Sequence, residues 1–210
     1  MDILLEGGAV LRERDYTLII DSSNSMATME KSEGKSRWDL IQESILAIAS
    51  YCEQIDPDGI TLYLFSDTFQ RYDKVTSEKV IHIFQHHQPS GKNRLSPVLK
   101  DATNHYFERR ATEQTKLNGE TIIIITSGEI ESPTDLRQII IDSANQLNRD
   151  EELAIELIQV GSNLDVTHFF QTLDDDLQSQ GAKFDICNTI TLSDLGSMSL
   201  TDVLLKAIVD

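Results

Sequence analysis

Asp21, Ser23 and Ser25 spell Asp-x-Ser-x-Ser, directly after the apolar run Thr17-Leu18-Ile19-Ile20. One carboxylate and two hydroxyls at alternate positions can turn their oxygens to the same side of an extended or gently turning segment. Hard oxygen donors of this kind suit Mg²⁺ or Ca²⁺. Two later runs end in a similar way. Ser66-Asp67 follows Ile60 to Phe65, and Thr126-Ser127-Gly128-Glu129 follows Thr121 to Ile125. If those runs are parallel strands of one open sheet, their tails meet beyond the carboxyl ends, where such sheets bind ligands.

Other chemistry is weaker on the same test. His82 and His86 have the i, i+4 spacing of metal ligands and His87 adjoins them, but no acidic motif accompanies the trio. Three histidines there read as a solvated last helical turn that suits the helix dipole. Asp174-Asp175-Asp176 reads as a solvated helix face. Asp67 stands either behind the Asp21 group or as a plain loop carboxylate. The chain has no Gly-x-Ser-x-Gly elbow, no Walker phosphate loop and no Gly-x-Gly-x-x-Gly. A phosphoester hydrolase could use Asp21 as a nucleophile at a strand end. Such enzymes need a second carboxylate close by, and Ser23 occupies that place, so the chain is read as a non-enzyme with the hydrolase as the alternative.

The elements that must position these residues follow from periodicity. Thr17 to Ile20 is a short β-branched run suited to a strand covered on both faces. Ser25 to Lys35 reads as a loop. A helix is predicted from Ser36, its N-cap, to about Gln54, with Trp38, Ile41, Ile45 and Ile48 inside. Ile60–Phe65 is a strand, Phe69–Val75 a short antiparallel edge strand, and Ser77–Phe84 a short helix. Leu95–Arg110 is a helix with Pro97 in its first turn. Thr121–Ile125 is the central strand, followed by a helix over Asp135–Leu147 and a strand over Ala154–Val160. A helix over Val166–Gln180 ends at Gly181, Ile186–Leu192 is the last strand, and Ser199–Val209 the last helix. Around Gly7 and Gly8 the pattern fits a small hairpin, an edge strand or an ordered tail. The alternation implies an α/β fold: a doubly wound, mostly parallel sheet, one short antiparallel edge strand, and helices on both faces in three layers.

With 210 residues, 40% of them hydrophobic, the chain can build one large core. Lys and Arg number 18 against 35 Asp and Glu, a net charge of −17. That balance argues against a nucleic-acid backbone as partner and favours cations or basic surfaces. Cys52 and Cys187 lie far apart in no metal or redox motif and read as buried thiols of a reducing compartment. The N-terminal stretch carries charges throughout and has no signal-peptide core, and no run is long enough to span a membrane. These features predict a cytoplasmic protein.

The strand followed by Asp21-x-Ser23-x-Ser25, together with this order of elements over roughly residues 15 to 210, resembles the von Willebrand factor type A (vWA) domain and the first part of its metal-ion-dependent adhesion site. The absence of a leader makes it similar to the bacterial stand-alone members. On this reading residues 1–14 are an N-terminal extension and 15–210 the vWA-like domain. The resemblance implies a protein-interaction module whose site is completed by two later loops. A threonine of one loop falls on Asn93, within Gly91-Lys92-Asn93-Arg94-Leu95. An aspartate of the other falls on Ser127, within Thr126-Ser127-Gly128. The implied metal ligands are Asp21, Ser23, Ser25, Asn93 and Ser127, with Mg²⁺ as the ion and a partner's Asp or Glu carboxylate completing its shell. Partner binding would then reposition the last helix. Both completing residues are changed, and one formal negative charge is lost. Glu129 could partly restore it, whereas Lys92 and Arg94 could repel a cation. Two states are open: a partial Mg²⁺ site, or a metal-free site in which Asp21 accepts hydrogen bonds from Ser23, Ser25, Asn93 and Ser127.

Overall fold

Apolar residues of both parities in one strand require cover on both faces, and Ile122 to Ile125 are all fully or almost fully buried. Each such side chain removed from water contributes about 2 kcal/mol, so this strand has to be central. The structure is a computed structural model that describes residues 10–31 and 33–209. Strand β1 spans Asp15–Asp21, and a 3₁₀ turn over Asn24–Ala27 comes next. Two-residue strands β2 (Met29–Glu30) and β3 (Lys35–Ser36) form a small hairpin inside the segment expected to be a loop. Helix α1 is Arg37–Ile55, with the Ser36 hydroxyl accepting from the Asp39 N–H at 3.1 Å. Strands β4 (Ile60–Phe65) and β5 (Phe69–Val75) pair antiparallel. Helix α2 (Ser77–Gln85) is capped by Thr76, and α3 is Leu95–Ala111. Then come β6 (Glu120–Thr126), α4 (Pro133–Asn145), β7 (Leu153–Gln159), α5 (Leu164–Asp175) and β8 (Cys187–Thr191). A four-residue helix α6 (Leu192–Leu195), closed by a Thr191–Asp194 capping box, and α7 (Leu200–Val209) end the chain.

The six-stranded sheet has the order β5-β4-β1-β6-β7-β8, parallel except for β5. Strand alternation sorts its side chains. Leu18, Ile20, Leu64, Ile123 and Ile125 pack with α1, α2 and α7. Ile19, Tyr63, Phe65, Ile122 and Ile124 pack with α3, α4 and α5. The chain leaves β1 toward β4 and β5 and crosses back to β6 on the other side. The crevice between β1 and β6 is therefore the switch point of the sheet.

The helix expected over Val166–Gln180 stops at Asp175, and a 3₁₀ turn over Gln178–Gln180 replaces its end. Asp174 does not sit on a solvated face: its carboxylate accepts from the Thr189 N–H of β8 at 2.8 Å. The hairpin or tail expected around Gly7 and Gly8 lies outside the described residues. Residues 10–12 are helical, and Leu11 is fully buried. At the opposite end of the sheet from the switch-point loops, the buried Arg14 guanidinium donates to Thr121 Oγ1 and to the carbonyls of Asn118, Glu120 and Glu151. Burial pulls its pKa down to about 10.

Candidate functional site

Asp21 is the last residue of β1, and its side chain is fully buried. The loop beyond it is sewn to its neighbours. Ser22 donates its N–H and its hydroxyl to the Phe65 carbonyl, at 2.8 and 2.9 Å. The N–H of Ser90 bonds the Ser22 carbonyl and that of Asn24 bonds the Gly91 carbonyl, tying this loop to the one before α3. Asp67 holds the same loop from the other side, accepting from the Lys92 N–H at 3.2 Å. The third loop begins at the end of β6 and joins the second where the Glu131 N–H bonds the Asn93 carbonyl. Gly128 lies in this loop at φ 75°, where a Cβ would fall 2.1 Å from Val166 Cγ1, so only glycine lets α5 approach so closely.

The three loops converge on one carboxylate. Asp21 Oδ1 accepts from the Ser23 N–H at 2.8 Å. Asp21 Oδ2 accepts from Asn93 Nδ2 and Thr126 Oγ1, both at 2.8 Å, and from the N–H and hydroxyl of Ser127, both at 3.2 Å. Thr126 Oγ1 accepts in turn from Asn93 Nδ2 at 2.8 Å and from the Gly128 N–H at 3.0 Å. A chain of hydroxyls runs on from Ser127 Oγ, 2.7 Å to Ser25 Oγ and 2.8 Å from there to Ser23 Oγ. Asn93 is 5% exposed, and its Oδ1 is buried without a hydrogen-bond partner among the described residues.

Above this network opens a cavity of about 390 Å³ lined by residues that include Ser23, Asn24, Ser25, Lys92, Asn93 and Glu129. Glu129 is turned to Arg37 Nη1 at 3.4 Å. Arg37 also bonds Glu30 at 2.7 Å, and its guanidinium lies over Gly161, where a Cβ would fall 2.7 Å from Nε. Lys92 and Arg94 both pair with Glu131, at 3.2 and 3.0 Å. The hydrogen bond from Lys92 is the main cause holding the Glu131 carboxyl below its ordinary pKa. A larger groove of about 650 Å³ runs between α3 and α4 and shares Arg94 and Glu131 with this rim. It gathers no buried polar network like the one around Asp21, so the chemistry is placed at the strand ends.

All five residues expected at the site, Asp21, Ser23, Ser25, Asn93 and Ser127, are thus brought together. Two differ in detail from the expected hydrogen-bonded arrangement. Ser23 reaches Asp21 through its backbone N–H, and Ser25 reaches it only through Ser127. Sequence reading missed Thr126, whose hydroxyl is central to the network; its signal was its place as the last residue of β6. It also missed Arg37, for which a single arginine after a helix cap gives no sign. Trp38 is core, stacked on Phe84 at 4.5 Å between ring centroids. His82 and His86 stack at 4.3 Å, and a His86 ring nitrogen contacts the His82 carbonyl within the last turn of α2.

Among solved structures, a point mutant of the PilB minor pilin from Streptococcus sanguinis is similar to this chain, with a TM-score of 0.60 at 11% identity. The likeness covers 93% of this chain and 60% of that one, and at this identity it speaks for the fold alone. No curated protein matches the chain in sequence. The family profile described as von Willebrand factor type A domain matches residues 16–129, from the second residue of β1 to Glu129 beside the cavity. With that match over more than half its length, and with this fold, the chain belongs to the von Willebrand factor type A domain family.

Proposed function

We propose that this chain is a protein-interaction module that docks its partner on the rim around Asp21, and that hydrogen bonds hold the rim in place of a metal ion. The observation that carries the reading is the convergence of five donor groups, from three separate loops, on one buried carboxylate. The residues present do not fit Mg²⁺ or Ca²⁺. Mg²⁺ takes one or two carboxylates with further oxygens, and Ca²⁺ about six to eight oxygen ligands. Among the described residues Asp21 is the only carboxylate in the network, Ser127 brings a neutral hydroxyl, and Asn93 turns its N–H, not its oxygen, toward Asp21. A buried carboxylate supplied with this many donors is satisfied without a cation. The network fixes three loops relative to one another before any partner arrives, which lowers the ordering cost of binding. A hydrolase reading gains no support, because a buried Asp21 with both oxygens engaged is badly placed to attack phosphorus.

The test is partner capture with cross-link mapping, using wild type, an Asp21→Ala, Ser23→Ala double variant, and the exposed-rim variant Asn24→Arg. The last leaves every bond to Asp21 intact. Partners that cross-link at the rim, are lost from both variants and are retained in EDTA support the reading. Capture that survives in both variants, or that requires Mg²⁺, overturns it. Calorimetry with Mg²⁺, Mn²⁺ and Ca²⁺ on the wild type should give flat traces.

A further inference from the structure

The direction of the hydrogen bonds shows which chemistry the rim lacks. Asp21 as a carboxylate only accepts, so the single proton of the Ser127 hydroxyl goes to Oδ2. Ser127 Oγ then accepts from Ser25 Oγ, and Ser25 Oγ accepts from Ser23 Oγ. Each hydroxyl proton is thus spent toward the buried charge, and the series ends at the nearly buried Ser23 Oγ, left as an acceptor. The amide of Asn93 obeys the same order. Its Nδ2 is used on Asp21 and Thr126, and the leftover group is Oδ1, buried and without a partner among the described residues. An unmet buried acceptor is unfavourable, and it asks for a donor. Glu129, about half exposed at the edge of the cavity, adds a carboxylate with one long contact to Arg37.

Resting on the interaction reading above, we infer that the cavity lined by Ser23, Ser25, Asn93 and Glu129 receives a basic side chain of the partner protein, a lysine ammonium or an arginine guanidinium. Both groups carry only donors, and both bring the positive charge that the donor set cannot recruit as a metal. A carboxylate from the partner would meet acceptors and find no ion to bridge it. The polarity of recognition is therefore the reverse of the carboxylate-on-metal arrangement that the family resemblance implies. The net charge of −17 acts in the same direction, raising the encounter rate with basic surfaces.

The experiment is an NMR titration of isotope-labelled protein in EDTA with three capped tripeptides, Gly-Lys-Gly, Gly-Arg-Gly and Gly-Asp-Gly. The lysine or arginine peptide should produce saturable shifts of the Asn93 side-chain amide and the Ser25 backbone amide, with affinity in the millimolar range expected of a single contact. Glu129→Gln, a change at a half-exposed position, should weaken those shifts several-fold. The aspartate peptide should leave the same signals in place, with or without added Mg²⁺. Saturable shifts from the aspartate peptide, or none from either basic peptide, would overturn the inference. If a protein partner cross-links at the rim while both basic peptides leave it unmoved, the interaction reading stands and this inference alone falls.

Discussion

Ser127 is the residue on which the identity of the site turns. It stands where the family resemblance places an aspartate, and its hydroxyl lies 3.2 Å from Asp21 Oδ2. Ser127→Asp would set a second carboxylate against the first, and two buried like charges so close destabilise each other. In EDTA the variant should melt below the wild type. Millimolar Mg²⁺ should raise its Tm by roughly 5 °C and leave the wild type unmoved. A wild type that responds to Mg²⁺ as strongly as the variant would refute the hydrogen-bonded rim. Most of this constellation was legible in the sequence: Asp21, Ser23 and Ser25 through their spacing after a strand, and Asn93 and Ser127 through the resemblance to the family's two later loops. Thr126 was read only as part of the tail after the strand, since nothing in its type marks it as a donor to Asp21. Its role depends on which neighbour β6 pairs with, and pairing is not written in local periodicity.

Among the elements, β8 shows how an exposed edge is closed. The N–H groups of Cys187, Thr189 and Thr191 are bonded by carboxylates of Asp185, Asp174 and Asp194, at 3.5, 2.8 and 3.0 Å. Alternate residues of a strand face the same way, so these three make up the outward row, the row on which another strand would add. The Asp174→Ala, Asp194→Ala pair should open it and produce concentration-dependent self-association, read by analytical ultracentrifugation. A monomer at every concentration would show that the carboxylates do not guard the edge. Long amphipathic helices and buried strands were readable because their periods repeat several times. The hairpin of β2 and β3 was not: two residues per strand carry no period, and apart from Met29 the segment is polar. The early end of α5 was hidden for a related reason. Helical spacing of Leu173 and Leu177 continues past Asp175, but the bond between Asp174 and β8 is a tertiary contact.

For the whole molecule, the buried ends of the sheet control stability. Arg14 joins the start of β6 to the turns before β6 and β7, and Arg14→Met would leave three carbonyls and the Thr121 hydroxyl without it. The loss should be about 3–5 kcal/mol by urea denaturation, in line with breaking a buried charged network. Nearby, Glu120 is almost fully buried, accepts from Thr17 Oγ1 at 2.5 Å and pairs with Arg109. Desolvation raises its pKa above the ordinary 4.5, with Arg109 opposing, and Asp56, beside Lys116, is raised above 3.8 for the same first reason. A carboxyl whose folded-state pKa is raised supports the fold below its unfolded value and loses that support as pH climbs through the folded one. Stability should therefore decline as pH rises from the ordinary carboxylate range toward the raised values. Glu120→Gln should flatten the slope, whatever its absolute stability, in denaturation curves taken across that range.

Arg37 rests on bare backbone at Gly161, and that seat has a consequence for the cavity. One methyl group there, at a φ of 90°, would strain the backbone and push the guanidinium aside, loosening its pairs with Glu30 and Glu129. The carboxylate already at the edge of the cavity would then stand without its one cationic neighbour, and the mouth would grow more anionic through a change made outside its own lining.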